Sequence, residues 1–368
     1  MSPRRASPDD AAALRELLLA LAQTPAPTGA EAARAALVMR LWSEAGLEPW
    51  QDEVGNVLAE VGAAAAGARR VVVAAHLDSV FGPEVDVTVK QAPGRWSGPG
   101  IGDNAASLAV LTRYLQTRER SDRAARPAML VGATVGEEGL GDLRGARHLV
   151  AGAGSGASAF IAFDGLLGTI TDVAVGSRRY EARFSAQGGH SWGDYGASSA
   201  VHAAGAAIAA LARLPVARVP RSSLNVGQMW GGTSVNAIAE TAGFNLDLRS
   251  VNSATLANLD AAAVGAVRAA AAEAGANVEL VLVGDRPAGG SNNEQLVAAA
   301  MAAYAAVGVV GQTAAGSTDA NPAMAAGIPA IAFGGYHGGG AHRLEEWLEP
   351  DSLGVGLIAL SELLARLA

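Results

Sequence analysis

The 368-residue chain has no cysteine. Disulfides, thiolate metal sites and a cysteine nucleophile are excluded together, so any metal has to be held by histidine, aspartate or glutamate. Charged residues make up only 17% and aromatics 5%, while half of the chain is hydrophobic, a composition too apolar for a disordered protein. Positive charge is also scarce: 27 Lys and Arg against 35 Asp and Glu leave a formal net charge of −8, which disfavours bulk nucleic-acid binding, because such binding works by neutralising phosphates. No run of 18 or more apolar residues reads as a membrane span. The first apolar stretch follows Asp9 and Asp10 and alternates as an amphipathic helix, not as a signal-peptide core. A soluble, cytoplasmic protein is the expectation, with no nucleic-acid or membrane partner.

What is present points to about two domains, at roughly 150 residues each. No fixed-period repeat occurs, and the Ala-rich stretches near 30–45, 199–213 and 254–275 carry Leu, Val or Ile at helical spacing. Helices over about 8–22 and 31–45 precede VVVAAHLDSV, a buried-strand pattern. A helix from near Asn104 and the apolar runs AMLVGATV and SAFIAFDG follow. Helices between buried strands argue for a mixed, largely parallel α/β sheet with helices on both faces, whose site lies at the C-terminal strand ends. From 177 to 286 the order becomes βαββαβ, the ferredoxin-like arrangement. The helix and buried-strand texture then returns. The expected organisation is a catalytic domain, 1–176 and 287–368, interrupted by an inserted α+β domain at 177–286.

Chemistry-bearing residues cluster at the strand ends. His76 and Asp78 lie two apart at the end of an apolar strand, so they share a face, and a carboxylate on the far ring nitrogen is what a metal-binding histidine needs. Asp103 stands in the Gly-rich GPGIGDNAAS, whose glycines match neither a dinucleotide fingerprint nor a P-loop. Glu137 and Glu138 directly follow a buried strand, Asp164 ends another, and His342 lies in GGYHGGGAHRLEEW. Alone, each has a plain explanation: a satisfied histidine, a helix N-cap, a solvated loop, a turn residue. Together, His76, Asp103, Glu138, Asp164 and His342 offer five N/O ligands, more than one catalytic zinc uses, and a bridging Asp103 would divide them into two sets of three. Imidazole plus carboxylate suits Zn²⁺, with Co²⁺ or Mn²⁺ as substitutes; calcium wants oxygens only. Spacing alone leaves Glu137 and Glu138 interchangeable between metal binding and proton transfer.

The ordered motifs PTGAE (27–31), GNVLAE (55–60), HLD, GDNAAS, GEEG, FDG, GGHS, VNAIAE, LDLRS, GSTDAN, GIPAIAFG and AHRLEE span the chain and resemble the M20 family of di-zinc metallopeptidases and amidohydrolases. The resemblance implies a zinc-exopeptidase-like catalytic domain with an inserted lid or dimerisation domain. It implies that His76 and Asp164 bind one metal, Glu138 and His342 the other, and Asp103 both, with Asp78 as the partner of His76. Glu137 becomes the general acid/base acting on a metal-bound water. His190 in GGHSWGDYG matches a histidine that stabilises the oxyanion, often across a dimer. Asn236 and Arg249 match positions that hold a substrate carboxylate or carbonyl, a task suited to the arginine fork; for Arg249 a strand-end salt bridge is the competing reading.

Two departures stand out. Asn104 follows Asp103 where many relatives have Asp, at a peptide that the family leads one to expect in the cis form. His337 lies five residues before His342 and competes for its role, although the HRLEE context favours His342. The motifs GGHSWGDYG and GEEGLGDLRGAR look more like the peptidase T and dipeptidase branch than the biosynthetic deacylases. The expectation is an exopeptidase, aminopeptidase or dipeptidase, acting on short peptides as a homodimer through the inserted domain. The alternatives are a deacylase of N-acylated amino acids, of acetylornithine or succinyl-diaminopimelate type, and a non-catalytic peptide-binding relative.

Overall fold

The structure is a computed structural model that describes residues 6–62, 70–118, 127–290 and 292–368. The chain forms two compact units: Met1–Ala174 together with Gly290–Ala368, and Val175–Gly289 between them. None of the helices in the described residues is long and apolar enough to cross a membrane.

The first unit is built on an eight-stranded mixed sheet. Its centre is the strand Val71–His76, which pairs in parallel with Met129–Thr134 on one side and Ala159–Phe163 on the other. Val57–Val61 adds to one flank antiparallel, and Ala330–Phe333 to the other in parallel. The run VVVAAH is wholly buried because the sheet is covered twice. Val71, Val73 and Ala75 pack into one apolar cluster with the helices Pro8–Ala22, Ala32–Glu44, Ala105–Thr117, Glu294–Ala306 and Ser352–Ala365. Val72 and Ala74 pack into the opposite cluster with Arg144–Ala151 and Ala320–Ala325. A strand buried on both faces shows no polar alternation, which is why its sequence reads as a continuous apolar run.

Local signals set the helix ends. Pro8 occupies the first turn of Pro8–Ala22, and the Ser7 hydroxyl accepts the Asp10 N–H at 3.1 Å, a side-chain cap on a proline-started helix. Parallel strands that alternate with helices all end at the same sheet edge. That edge is where His76, the loop after Thr134, and Asp164 after Phe163 come out.

The second unit has a four-stranded antiparallel sheet, Gly176–Ser185, Ser222–Gly231, Thr241–Ser250 and Asn277–Arg286. Numbered in chain order its strands lie 2-3-1-4, the ferredoxin-like order. The helices Ala200–Leu211 and Ser253–Glu273 cover one face, where Phe244, Leu246 and Leu248 are buried with Ala203, Ala207 and Leu259. A feature the strand pattern does not announce is a two-residue ladder that pairs Gly189–His190 with Ala237–Ile238. It forces glycine at 188 and 189, with φ of 68° and 141°. A Cβ on Gly188 would lie 2.2 Å from Glu240 Cγ, and one on Gly189 2.8 Å from Asp194 Cβ.

Candidate metal centre

His76 ends the central strand, 98% buried, with Nε2 3.0 Å from Asp103 Oδ1. Its Nδ1 lies 3.1 Å from the Asp78 carbonyl oxygen and 3.5 Å from that residue's carboxylate, so Asp78 holds the ring by backbone and side chain. Asp78 also accepts the N–H groups of Glu137 and Glu138, each at 2.9 Å, and the Thr28 hydroxyl at 2.9 Å. Burial opposes its charge, but the His76 bond and these N–H groups draw its carboxyl down to about 2.

Asp103 precedes the helix Ala105–Thr117 yet does not cap it; the cap position is Asn104, which makes no side-chain capping bond. The Asp103 carboxylate instead points its two oxygens at two imidazoles: Oδ1 at His76, and Oδ2 at His342 Nε2, 3.3 Å away. His342 Nε2 also lies 3.0 Å from Glu138 Oε1. Two groups of potential ligands follow, His76, Asp103 and Asp164, and Asp103, Glu138 and His342, the donor atoms of each within 4.8 Å of one another. A third group, His76, Glu137 and Glu138, places Glu137 beside the other two.

The donor chemistry fits two divalent cations. Asp164 is enclosed by protein atoms although part of its surface meets solvent, and burial plus the charges of Asp103 and Glu138 push its carboxyl up to about 7. Bonds to Asp103 and Glu138 raise the His342 imidazole to about 10, and His76 is raised too, despite its burial, by Asp103 and Asp78. Carboxylates outnumber the cations available to them, an imbalance that two dications would correct. His342 sits at φ 65°, a conformation unfavourable for a side chain with a Cβ, of the kind found at functional sites.

His337 does not join the cluster. Its N–H donates to Ser352 Oγ at 2.9 Å and its carbonyl accepts from Glu349, which turns the segment away before the loop returns with His342. The Asp103–Asn104 peptide is cis. Asn104 is fully buried and its amide donates to the Phe163 carbonyl at 3.1 Å, a bond an ionised aspartate would be unable to make.

Sequence reasoning did not assign Glu346. It is 1% exposed, and its carboxylate accepts the N–H groups of Gly100, Gly102 and Asp103 at 2.8, 3.0 and 2.8 Å, fastening the Asp103 loop to the segment that carries His342. Burial and the Asp103 charge push its carboxyl up to about 8 against those three donors. The only sequence signal is its place in HRLEE. Glu346→Ala leaves three buried donors unmatched, a loss on the order of 3 kcal/mol. For a unit of this size the expected drop in Tm is about 6–12 °C, to be read by thermal unfolding monitored by circular dichroism; a Tm within about 2 °C of wild type would show that the clamp is dispensable.

The three remaining candidates lie in the second unit and are exposed or half-buried. His190 Nδ1 accepts two backbone N–H groups, from Trp192 and Gly193, both at 3.2 Å. The neutral ring therefore carries its proton on Nε2 and presents a donor outward, an assignment that follows from the bonding pattern. Asn236 is held next to it: its carbonyl accepts from Ser191 N–H, and Ala237 pairs with His190. Arg249 Nε lies 2.7 Å from Asp247 Oδ2, and Asp247 also bonds Arg179. His190 and Asn236, 46 positions apart in sequence, are thus brought together, one in the small ladder and the other directly before it.

The pattern described as Peptidase family M20/M25/M40 matches residues 72–366. No curated protein matches the chain. Among solved structures, the aminopeptidase PepT from Bacillus cereus ATCC 10987 is 22% identical, with a TM-score of 0.78 over 97% of this chain and 98% of that one. A tripeptidase from Staphylococcus aureus subsp. aureus Mu50 is 21% identical, with a TM-score of 0.82 over 99% and 100%. The YxeP protein of Bacillus subtilis, described as a dinuclear metal-binding peptidase, is 18% identical, with a TM-score of 0.70 over 98% and 99%. At these identities the likeness is one of fold.

Proposed function

We propose, from the premise that this chain belongs to peptidase family M20/M25/M40, that it is a cytoplasmic di-zinc exopeptidase that hydrolyses an amide bond of short peptides. The observation that carries the two-metal part is the Asp103 carboxylate, whose oxygens each face a different imidazole and so divide five donors into two groups of three. His76, Asp103 and Asp164 would hold one zinc, and Asp103, Glu138 and His342 the other, with Co²⁺ or Mn²⁺ as substitutes. When bound, the pair of ions polarises the amide carbonyl and lowers the pKa of water.

The protein's own groups supply the rest. Glu137, 6% exposed and beside both groups, takes the proton of the attacking water and returns it to the leaving amine. Asp78 keeps the His76 ring oriented with Nε2 toward the cluster. The Nε2–H of His190 donates to the oxyanion, which the two N–H bonds to its Nδ1 make possible in the neutral ring. Asn236 and Arg249 hold the substrate's carboxylate or carbonyl, Arg249 with its guanidinium preset by Asp247.

The short-peptide reading is supported by the fold likeness to an aminopeptidase and a tripeptidase and by the peptidase T-like motifs in this chain. Its test is a panel of di- and tripeptides beside N-acetyl and N-succinyl amino acids, offered to protein loaded with Zn²⁺, Co²⁺ or Mn²⁺. Cleavage of peptides with free amines is the expected result; cleavage of the acylated amino acids alone would replace the peptidase reading with the deacylase one, and metal binding without turnover would favour a peptide-binding role. The strand Ser222–Gly231 is an edge of its sheet, which supports assembly as a homodimer through the inserted unit. Light scattering after gel filtration should give twice the 36.9 kDa chain mass; a fully active monomer would remove any role for His190 across a dimer.

A further inference from the structure

The turn Pro27–Glu31 carries one of the motifs noted in the sequence, and nothing in the chemistry above uses it. In the structure it lies against the site from behind. Pro27 bridges to Ser79, the Thr28 N–H donates to the Ser79 carbonyl at 3.2 Å, and the Ser79 N–H donates back to Ala26 at 2.9 Å. Two of its side chains reach further in. The Thr28 hydroxyl meets Asp78, and Glu31 Oε1 accepts the N–H of Gly29 at 2.9 Å and of Gly136 at 3.1 Å.

Glu31 is 5% exposed and stands at the N-cap of Ala32–Glu44, where it makes no side-chain capping bond. Its carboxylate is turned instead to Arg144, whose Nη2 donates to Oε1 at 2.9 Å and to Oε2 at 2.8 Å. Arg144 opens the helix Arg144–Ala151, and a cation in a first turn opposes the helix dipole. The pair meets the loop between Thr134 and Glu138, Glu31 through the Gly136 N–H and Arg144 through Glu31.

Three successive backbone N–H groups of that loop end on carboxylates: Gly136 on Glu31, and Glu137 and Glu138 on Asp78. Anchored donors at consecutive peptides leave the intervening φ and ψ little freedom, and so set the direction in which each side chain leaves. Gly136 has φ 65°, and a Cβ there would lie 2.7 Å from Arg144 Nη1, so the arginine packs directly on the loop backbone.

We infer that Glu31, backed by Arg144, is a positioning residue for Glu137, acting through the Gly136 peptide. This rests on the reading of Glu137 as the proton-transfer group. Asp78 holds the N–H groups of both Glu137 and Glu138, and Glu31 holds the Gly136 N–H, one residue ahead of Glu137 and two ahead of Glu138. Loss of Glu31 therefore falls on proton transfer more than on metal binding.

The test uses the full chain with Glu31→Ala, Glu31→Gln and Arg144→Met, and reads three quantities: hydrogen exchange of the segment 134–139, bound Zn²⁺ per chain, and kcat and KM on the peptide that wild type cleaves best. Glu31→Ala is expected to speed exchange in that segment about tenfold or more. It should lower kcat by roughly 10–100-fold, with KM within about twofold and zinc content unchanged. Glu31→Gln and Arg144→Met, which keep an acceptor for Gly136, should fall between it and wild type, and they carry the test if Glu31→Ala does not fold. A folded Glu31→Ala with kcat within about twofold of wild type would overturn the inference, as would a loss of kcat matched in proportion by lost zinc. If wild type cleaves nothing on the panel, the hydrolase reading fails by itself, and unchanged exchange in the variants would overturn the brace independently.

Discussion

Glu137→Gln is expected to lower kcat by roughly 10²–10⁴-fold, the usual contribution of a positioned general acid/base, while the protein still binds wild-type amounts of zinc. Gln keeps the size of the side chain and its backbone N–H bond to Asp78, so the fold and the neighbouring Glu138 are undisturbed. What it removes is the ability to take up a proton. Glu138→Gln should do the reverse, because Glu138 Oε1 lies 3.0 Å from His342 Nε2 within the group of donors that contains Asp103; zinc content should fall and turnover with it. The pair of variants separates two carboxylates that the sequence spacing leaves interchangeable and that both stand with His76 in one group of donors. Zinc counted by plasma mass spectrometry, beside kcat, separates the roles. A Glu137→Gln protein that has lost a metal would assign Glu137 to the ligand set.

Asp103→Asn is expected to weaken both zinc ions at once. Replacing a group that only supports a ligand typically costs 10–100-fold in metal affinity, and the shared carboxylate should cost more than about 100-fold at each site. An amide retains one acceptor oxygen but no charge, so it is unable to face two cations symmetrically. Asp164→Asn is the control: it belongs to one group of three only, and one ion per chain should survive. Competition with a chromophoric chelator would give both affinities. Retention of one tight zinc in Asp103→Asn would mean that the carboxylate serves a single ion and that the two groups are independent.

The cluster was legible in the sequence to an unusual degree, for a reason that lies in α/β architecture. His76 and Asp164 end apolar runs, and Glu137 and Glu138 follow another; parallel strands in one sheet bring all such ends to one edge, so strand recognition already implies a common neighbourhood. Asp103 is different. Its position before a helix reads equally well as a cap, and only the structure shows the cap position at Asn104 and the carboxylate turned to two imidazoles. His342 is favoured over His337 by the HRLEE context, and the backbone path of the shared Gly-rich loop brings His342 to Glu138 while the His337 N–H is tied to Ser352.

From the sequence alone come the candidate ligand types, the exclusion of sulfur, the two-domain organisation with its βαββαβ insertion, and the residues at strand ends, because each is carried by local composition or by periodicity along the chain. The tertiary structure decided what depends on contacts between distant segments: Glu346 clamped on the loop of Asp103, and Glu31, with Arg144 behind it, on the loop of Glu137. In each clamp a carboxylate accepts backbone N–H groups far away in sequence. A backbone N–H is the same at every residue, so the chain carries no local mark of which carboxylate will find it.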